Sequence, residues 1–336
     1  MQHLLDLIIP AAQAHEKWFV TEMTGAPLPP QFAPGSMPFN AAVLTVLVVC
    51  VIGFFADRAM ERSALYARTE HALRPYRDIA PGILAVTTAV LLLWSAWHGV
   101  LLADNFPLPQ TTLGTALRFA EYAVGALFLI GFDTAAAALG LGALYIAAAA
   151  LFGAVEALDY LYFAGTAVFL YFFARGRYSL DWFYGKPVTS TPESRKHAYL
   201  IMRVLAGGGL IALALGKWMH PEMHLQLMDR YPDWNPYVII RWIGFNLSRE
   251  TYVLMLAVIE SIVGVFVLGG YLTRFASVAL MPVFMGSILF LGAGELVGHL
   301  PILGILVVLC IYGDTYHKAP PPLPEKNPSP APAAKA

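Results

Sequence analysis

The chain has 336 residues, of which 58% are hydrophobic and only 13% charged, with a formal net charge of −1 and a mean hydropathy of +0.62. That balance excludes an ordinary soluble domain, in which roughly a quarter of residues are charged, and the near-zero net charge argues against a nucleic-acid partner. It fits an integral membrane protein whose surface meets lipid.

At the start, MQHLLDLIIPAAQAHEKWF carries a short apolar stretch ending in Ala12-Gln13-Ala14. This reads as a signal peptide over residues 1–14, cut before His15. The alternative is an uncleaved amphipathic arm, since no Lys or Arg precedes the stretch and Asp6 interrupts it. An external segment follows over 15–39.

Apolar runs near the spanning length then predict nine helices, at 40–56, 82–102, 116–131, 134–152, 157–174, 199–217, 251–270, 274–292 and 296–313. Fifteen of the 21 Lys and Arg fall on the side of the 57–81 and 175–198 segments and the C-terminal tail. By the positive-inside rule that side is cytoplasmic and the N-terminus external. Both segments mix charges with aromatics and read as amphipathic stretches on anionic lipid. The tail over 314–336 is Pro-rich and carries no chemistry. Cys50 and Cys310, the only cysteines, lie in apolar runs and read as packing residues.

Shifting the chain by 139 residues lays EYAVGALFLIGFDT over ESIVGVFVLGGYLT. Glu121 then falls on Glu260, Gly125 on Gly264, Gly131 on Gly270, Thr134 on Thr273, Glu156 on Glu295 and Gly165 on Gly304. Apolar segments match one another cheaply, but the chain has only 12 Glu, so two coincident pairs carry weight. Upstream, WHG at Trp97 and His98 parallels KWMHP at Trp218 and His220, at an offset of 122. The expected fold is therefore all-α: a polytopic transmembrane bundle with one extra helix at 40–56 followed by two parallel four-helix units, 82–174 and 199–313. An even number of helices per unit relates the copies by an axis along the membrane normal.

The spacing Glu260, Gly264, Gly270, Thr273, Arg274, with GHLP at 298–301 opening the last helix, resembles the DoxX family of bacterial four-helix membrane proteins, related to the small subunit of thiosulfate:quinone oxidoreductase. The first unit resembles it only as a degenerate copy, with Ala135 in the place of Arg274 and Tyr160 in that of His299. The resemblance implies the bacterial inner membrane, a role in a quinone-linked redox system, and a redox partner protein or subunit.

An ionisable group at mid-helix costs roughly 2.5–3.5 kcal/mol on insertion scales, so Glu260 and Glu121 are expected to face a polar interior. There they can be hydrogen-bonded acids, relay protons to quinone, or line a solute path. Glu295 and His299, four residues apart, share a helix face and form a second candidate proton-exchanging pair. Arg274 reads as a positive-inside anchor. His98 and His220 could ligate haem axially, although no CxxCH is present. WMHPEMHLQLM offers His220, His224, Met219 and Met223 as soft copper ligands, against the reading of methionines as interfacial packing. A copper-binding or solute-transporting protein is the competing functional class. No GxxxxGK[ST] or GxGxxG phosphate loop and no GxSxG elbow occurs.

Overall fold

A computed structural model describes residues 28–186, 190–230, 237, 241, 244–291 and 293–314, the side chains of 230 and 286–295 excepted. The expected signal peptide, the first part of the external segment and nearly all of the Pro-rich tail lie outside the described residues, as does the side chain of Glu295.

The chain folds into helices, with one short hairpin. Helix α1 (Met37–Met60) begins where Ser36 accepts from the Phe39 amide and a proline occupies its first turn, which needs no amide donor there. Helix α2 (Ala64–Leu73) is capped by Ser63. A 3-10 turn leads into α3 (Ala80–His98), which Gly99 ends at φ 72°, a left-handed conformation that costs glycine little. The expected helix to residue 102 stops there. Leu102 is also left-handed, at φ 65°, and the chain turns back as an antiparallel hairpin of β1 (Val100–Leu101) and β2 (Ala103–Pro107).

Then come α4 (Thr112–Ile130), α5 (Thr134–Phe152), a 3-10 turn over Glu156–Tyr160, α6 (Leu161–Phe173), the short α7 (Leu180–Phe183) and α8 (Pro192–Met219). Helix α8 starts seven residues before the expected boundary, because Thr191 caps it and Pro192 opens it. Helices α9 (Pro221–Arg230), α10 (Arg249–Gly269), α11 (Thr273–Leu291) and α12 (Ala293–Tyr312) complete the chain. Among the described residues six helices are long and apolar enough to cross a membrane: α1, α3, α4, α5, α8 and α10.

Eight helices pack in a closed cycle, α3 on α4, α4 on α5, α5 on α6, α6 on α8, α8 on α10, α10 on α11, α11 on α12, and α12 back on α3. Small residues set the close approaches. A Cβ on Gly125 would meet Leu93 at 3.0 Å, and one on Gly264 would meet Ile211 at 2.8 Å. A Cβ on Gly165 would meet the Met202 backbone at 3.0 Å, and one on Gly304 would lie 3.2 Å from the Leu84 Cα. Helix α1 stands outside the cycle against α10, where Gly53 lies under the Phe266 ring, and it is the least buried of the long helices. Its Leu47, Val51, Ile52 and Phe55 face outward, as a lipid-facing helix requires.

The two helix-to-helix turns at the arginine-rich end are built alike. Gly131 and Gly270 end α4 and α10 in the left-handed region, and Asp133 and Leu272 two residues later also have positive φ. The amides exposed by this strained entry are bound by carboxylates from elsewhere in the chain. Asp181 accepts from the Asp133 and Thr134 amides and the Thr134 hydroxyl, each at 2.9 Å. Asp57 accepts from the Leu272 amide and Asp314 from the Thr273 amide, both at 2.9 Å. A carboxylate at a helix N-terminus satisfies orphan donors and meets the positive end of the dipole. Asp314, assigned to the tail from sequence, is thus a buried part of the fold.

Candidate functional site

Glu260 sits eleven residues into the 21-residue α10, and its compensation comes from α8. Lys217 Nζ lies 3.0 Å from Glu260 Oε2, with the lysine side chain 7% exposed and the glutamate 25%. The sequence counts Lys217 among external charges; the structure instead makes it the counter-ion of the mid-helix carboxylate. Helix α8 continues to Met219, so a lysine two residues before its end still faces α10. Both charges act on Tyr252, two turns up α10 and buried. Its ring lies 6.5 Å from that of His224 and 5.5 Å from that of Tyr237.

An open apolar groove of about 550 Å³ lies between α1, α8, α10 and the segment before α1. Trp218 and Ser261, the chain neighbours of Lys217 and Glu260, line it and are joined by an indole N–H donating to the Ser261 hydroxyl at 3.0 Å. Phe39 from α1 meets the Trp218 ring edge to face, with centroids 5.3 Å apart.

Glu121, matched to Glu260 by the shift, is compensated differently. It is fully buried, and Oε1 accepts from the Leu102 amide at 2.8 Å, the donor turned inward by the left-handed Leu102. Arg118, one turn earlier, donates to the Ala96 and Trp97 carbonyls and fixes the end of α3. Glu121 therefore anchors the hairpin, while Glu260 pairs with a charge.

His299 is buried on α12, its ring 5.0 Å from that of Phe284, and borders a small void with Asp159, Tyr160 and Tyr162. Tyr160, which the shift lays on His299, faces the same void, and its hydroxyl donates to Asn105 at 2.7 Å. The pairing of His299 with Glu295 falls on a side chain outside the described residues.

The histidines and methionines of the other candidate sites have different surroundings. His98 is exposed, with Nδ1 2.9 Å from the Trp94 carbonyl and its ring tilted against that of Trp94, centroids 4.2 Å apart. Burial pushes the neighbouring Asp104 above the usual carboxylate range, an effect His98 partly offsets. His220 Nδ1 lies 3.2 Å from Glu222. His224 stands beside Tyr252, Met219 lines the apolar groove, and Met223 is buried. No group of three or more His, Cys, Asp or Glu able to hold a metal occurs among the described residues.

At the opposite end, Glu70 of the supposed surface segment is buried and bridges Arg77 and Arg274, at 2.5 Å to each. Arg274 also donates to the Cys310 carbonyl at 3.0 Å, and Arg77 to that of Tyr312 at 3.2 Å. The anchor reading of Arg274 is corrected accordingly: it ties α2 to α11 and α12. Glu70 carries no periodicity that would have exposed this role in sequence, nor did Lys217, two residues before a helix end.

No family model matches the chain, and no curated protein or solved structure matches it either. Fold and site together define a polytopic helical membrane protein with a charged pair between two of its long apolar helices.

Proposed function

We propose that the chain is a DoxX-like protein of the bacterial inner membrane, with two related four-helix halves, that exchanges protons with a lipid-soluble quinone. The observation that carries this reading is the Lys217–Glu260 pair, 3.0 Å apart between two long apolar helices, whose chain neighbours Trp218 and Ser261 line an apolar groove of about 550 Å³. Ligand pockets of this kind hold roughly 300–1,000 Å³ and combine apolar walls with a few placed polar groups. A quinone ring fits that chemistry, because its carbonyl oxygens need donors and its reduction takes up two protons with two electrons.

Lys217 supplies an N–H donor to a carbonyl oxygen, and Glu260 supplies or accepts a proton. Tyr252 and His224 form the route by which the pair exchanges protons with the arginine-poor end. The electrons come from a redox partner, since the sequence contains no recognisable carrier of its own.

Fluorescence quenching by a short-chain quinone in detergent tests the reading, with Trp218→Phe identifying the responding indole. Wild-type protein should show saturable quenching that Trp218→Phe largely removes. Glu260→Gln and Lys217→Met should each weaken binding by about 10- to 100-fold, the range for one hydrogen bond to a charged group. Quenching that does not saturate, or that is unchanged in both variants, rejects quinone as the ligand.

A further inference from the structure

A second cavity, of about 390 Å³, opens at the arginine-rich end, where α3, α6, α8 and α12 come together. Four cations line it, Arg77, Arg177, Lys186 and Arg195, against two carboxylates, Asp78 and Asp181. Two of the cations are engaged, Arg77 with Glu70 at 2.5 Å and Lys186 with Asp181 at 3.3 Å. Arg177 and Arg195 form no ion pair among the described residues, and Arg195 Nε is buried there without a hydrogen-bond partner. The Arg177 guanidinium lies over the Tyr178 ring at 5.7 Å, but two guanidinium groups without a carboxylate partner leave the pocket with an unmet preference for an anion, and the planar fork of arginine suits phosphate.

The rim shows what carries that anion. Tyr178, Trp182, Phe183 and Tyr184 project outward beside the pocket, between 53% and 74% exposed. Water penalises such a cluster of exposed aromatics, whereas the bilayer interface favours tyrosine and tryptophan. Trp182 belongs to both features, since it lines the pocket and lies in the exposed cluster.

We propose that this pocket binds the headgroup of an anionic phospholipid, its phosphate between Arg177 and Arg195 and its acyl chains leaving past Trp182 and Phe183. The site is independent of the quinone reading, for it lies at the other end of the spanning helices from α9. Bound lipid would bridge the two halves of the helix cycle, because Arg177 follows α6 and Arg195 lies in α8.

Native mass spectrometry of protein equilibrated with equal amounts of phosphatidylglycerol and phosphatidylcholine tests this directly. Wild-type protein should retain phosphatidylglycerol preferentially, and added inorganic phosphate should displace little of it. Each cation near the surface contributes about a fivefold factor, so Arg177→Gln with Arg195→Gln should lower retention by about 25-fold. A melting curve in phosphatidylcholine alone checks that the double variant folds. Should it not, Arg177→Gln, whose side chain is exposed, still reads out an expected loss of about fivefold. Equal retention of the two lipids by the wild type, or retention insensitive to Arg177, overturns the proposal. Full displacement by inorganic phosphate also overturns it, in favour of a free-anion site.

Discussion

Burying two opposite charges and leaving one of them alone have very different costs. Removing one partner of a buried pair destabilises a protein by about 3–5 kcal/mol, whereas replacing both by apolar groups of similar size is often neutral. Glu260 is a quarter exposed, so its single variant should fall at or below the low end of that range, while the more deeply buried Lys217 left alone should reach it. The double variant Lys217→Met, Glu260→Gln should recover most of the lost stability in denaturant titrations. A double variant as unstable as the sum of the singles would show that the two charges act separately. Asp181 and Asp314 illustrate a different balance at helix N-termini. Burial raises the pKa of Asp181, but hydrogen bonds from Thr134, Asp133 and Lys186 outweigh it and hold the carboxyl below its usual range. In Asp314 burial prevails, aided by the nearby Asp57 charge, and pushes the pKa up to about 6 despite the Thr273 hydrogen bonds. A raised folded-state pKa favours folding at low pH, and that contribution is lost as pH rises through about 6. Asp181 contributes with the opposite sign, its share fully present at neutral pH and lost only as pH falls below the usual carboxylate range. Between pH 7 and pH 5 the wild type should therefore gain stability relative to Asp314→Asn, and Asp181→Asn should leave that gain in place. Melting temperatures measured across this interval decide the point.

At the level of elements, much of the helix pattern was legible because spanning helices are long apolar runs and their glycines recur. The shift of 139 picked out Gly125 with Gly264 and Gly165 with Gly304, and all four glycines take close approaches, Gly125 and Gly304 to α3 and Gly264 and Gly165 to α8. What sequence missed has a common cause. Lys217, Asp57 and Asp314 act through partners 41 or more residues away, and Glu70 reaches Arg274 as well as the nearby Arg77; a polar residue near a helix end looks the same whether it faces water or a distant partner. The hairpin after α3 escaped because VLLADNF continues the apolar run that the left-handed Gly99 has already ended. A close approach of α8 to α10 supplies a packing test. A Cβ on Gly207 of α8 would come within 2.4 Å of the Leu268 amide nitrogen of α10, and backbone cannot rotate aside as a side chain can. Gly207→Ala should therefore separate α8 from α10 and cost about 1–3 kcal/mol. Gly208→Ala, whose nearest neighbour is a Leu161 methyl at 3.6 Å, is the control and should be nearly neutral or slightly stabilising.

Across the whole molecule, the helix cycle closes at two seams, α6 against α8 and α12 against α3, and only the first joins helices close in sequence. The second brings the end of the chain back to its first half and is held by Gly304 against Leu84 and by Glu70 between Arg77 and Arg274. This cycle gives the bundle two chemically distinct ends. One carries α2, α7 and the carboxylate-capped turns, with most of the arginines; the other carries the hairpin, α9 and the start of α10. A chain so polarised should insert in one orientation, with the arginine-rich end in the cytoplasm. Single cysteines at His71 and Thr112, both exposed and at opposite ends, distinguish the two arrangements. Cys50 and Cys310 are first replaced by serine or alanine, each being a free thiol. In intact cells a membrane-impermeant maleimide should label Thr112→Cys and not His71→Cys, and lysis should make His71→Cys reactive. The reverse pattern would put the phospholipid pocket in the outer leaflet and Tyr252 and His224 on the cytoplasmic side. It would also reverse the side from which the Lys217–Glu260 pair draws its protons.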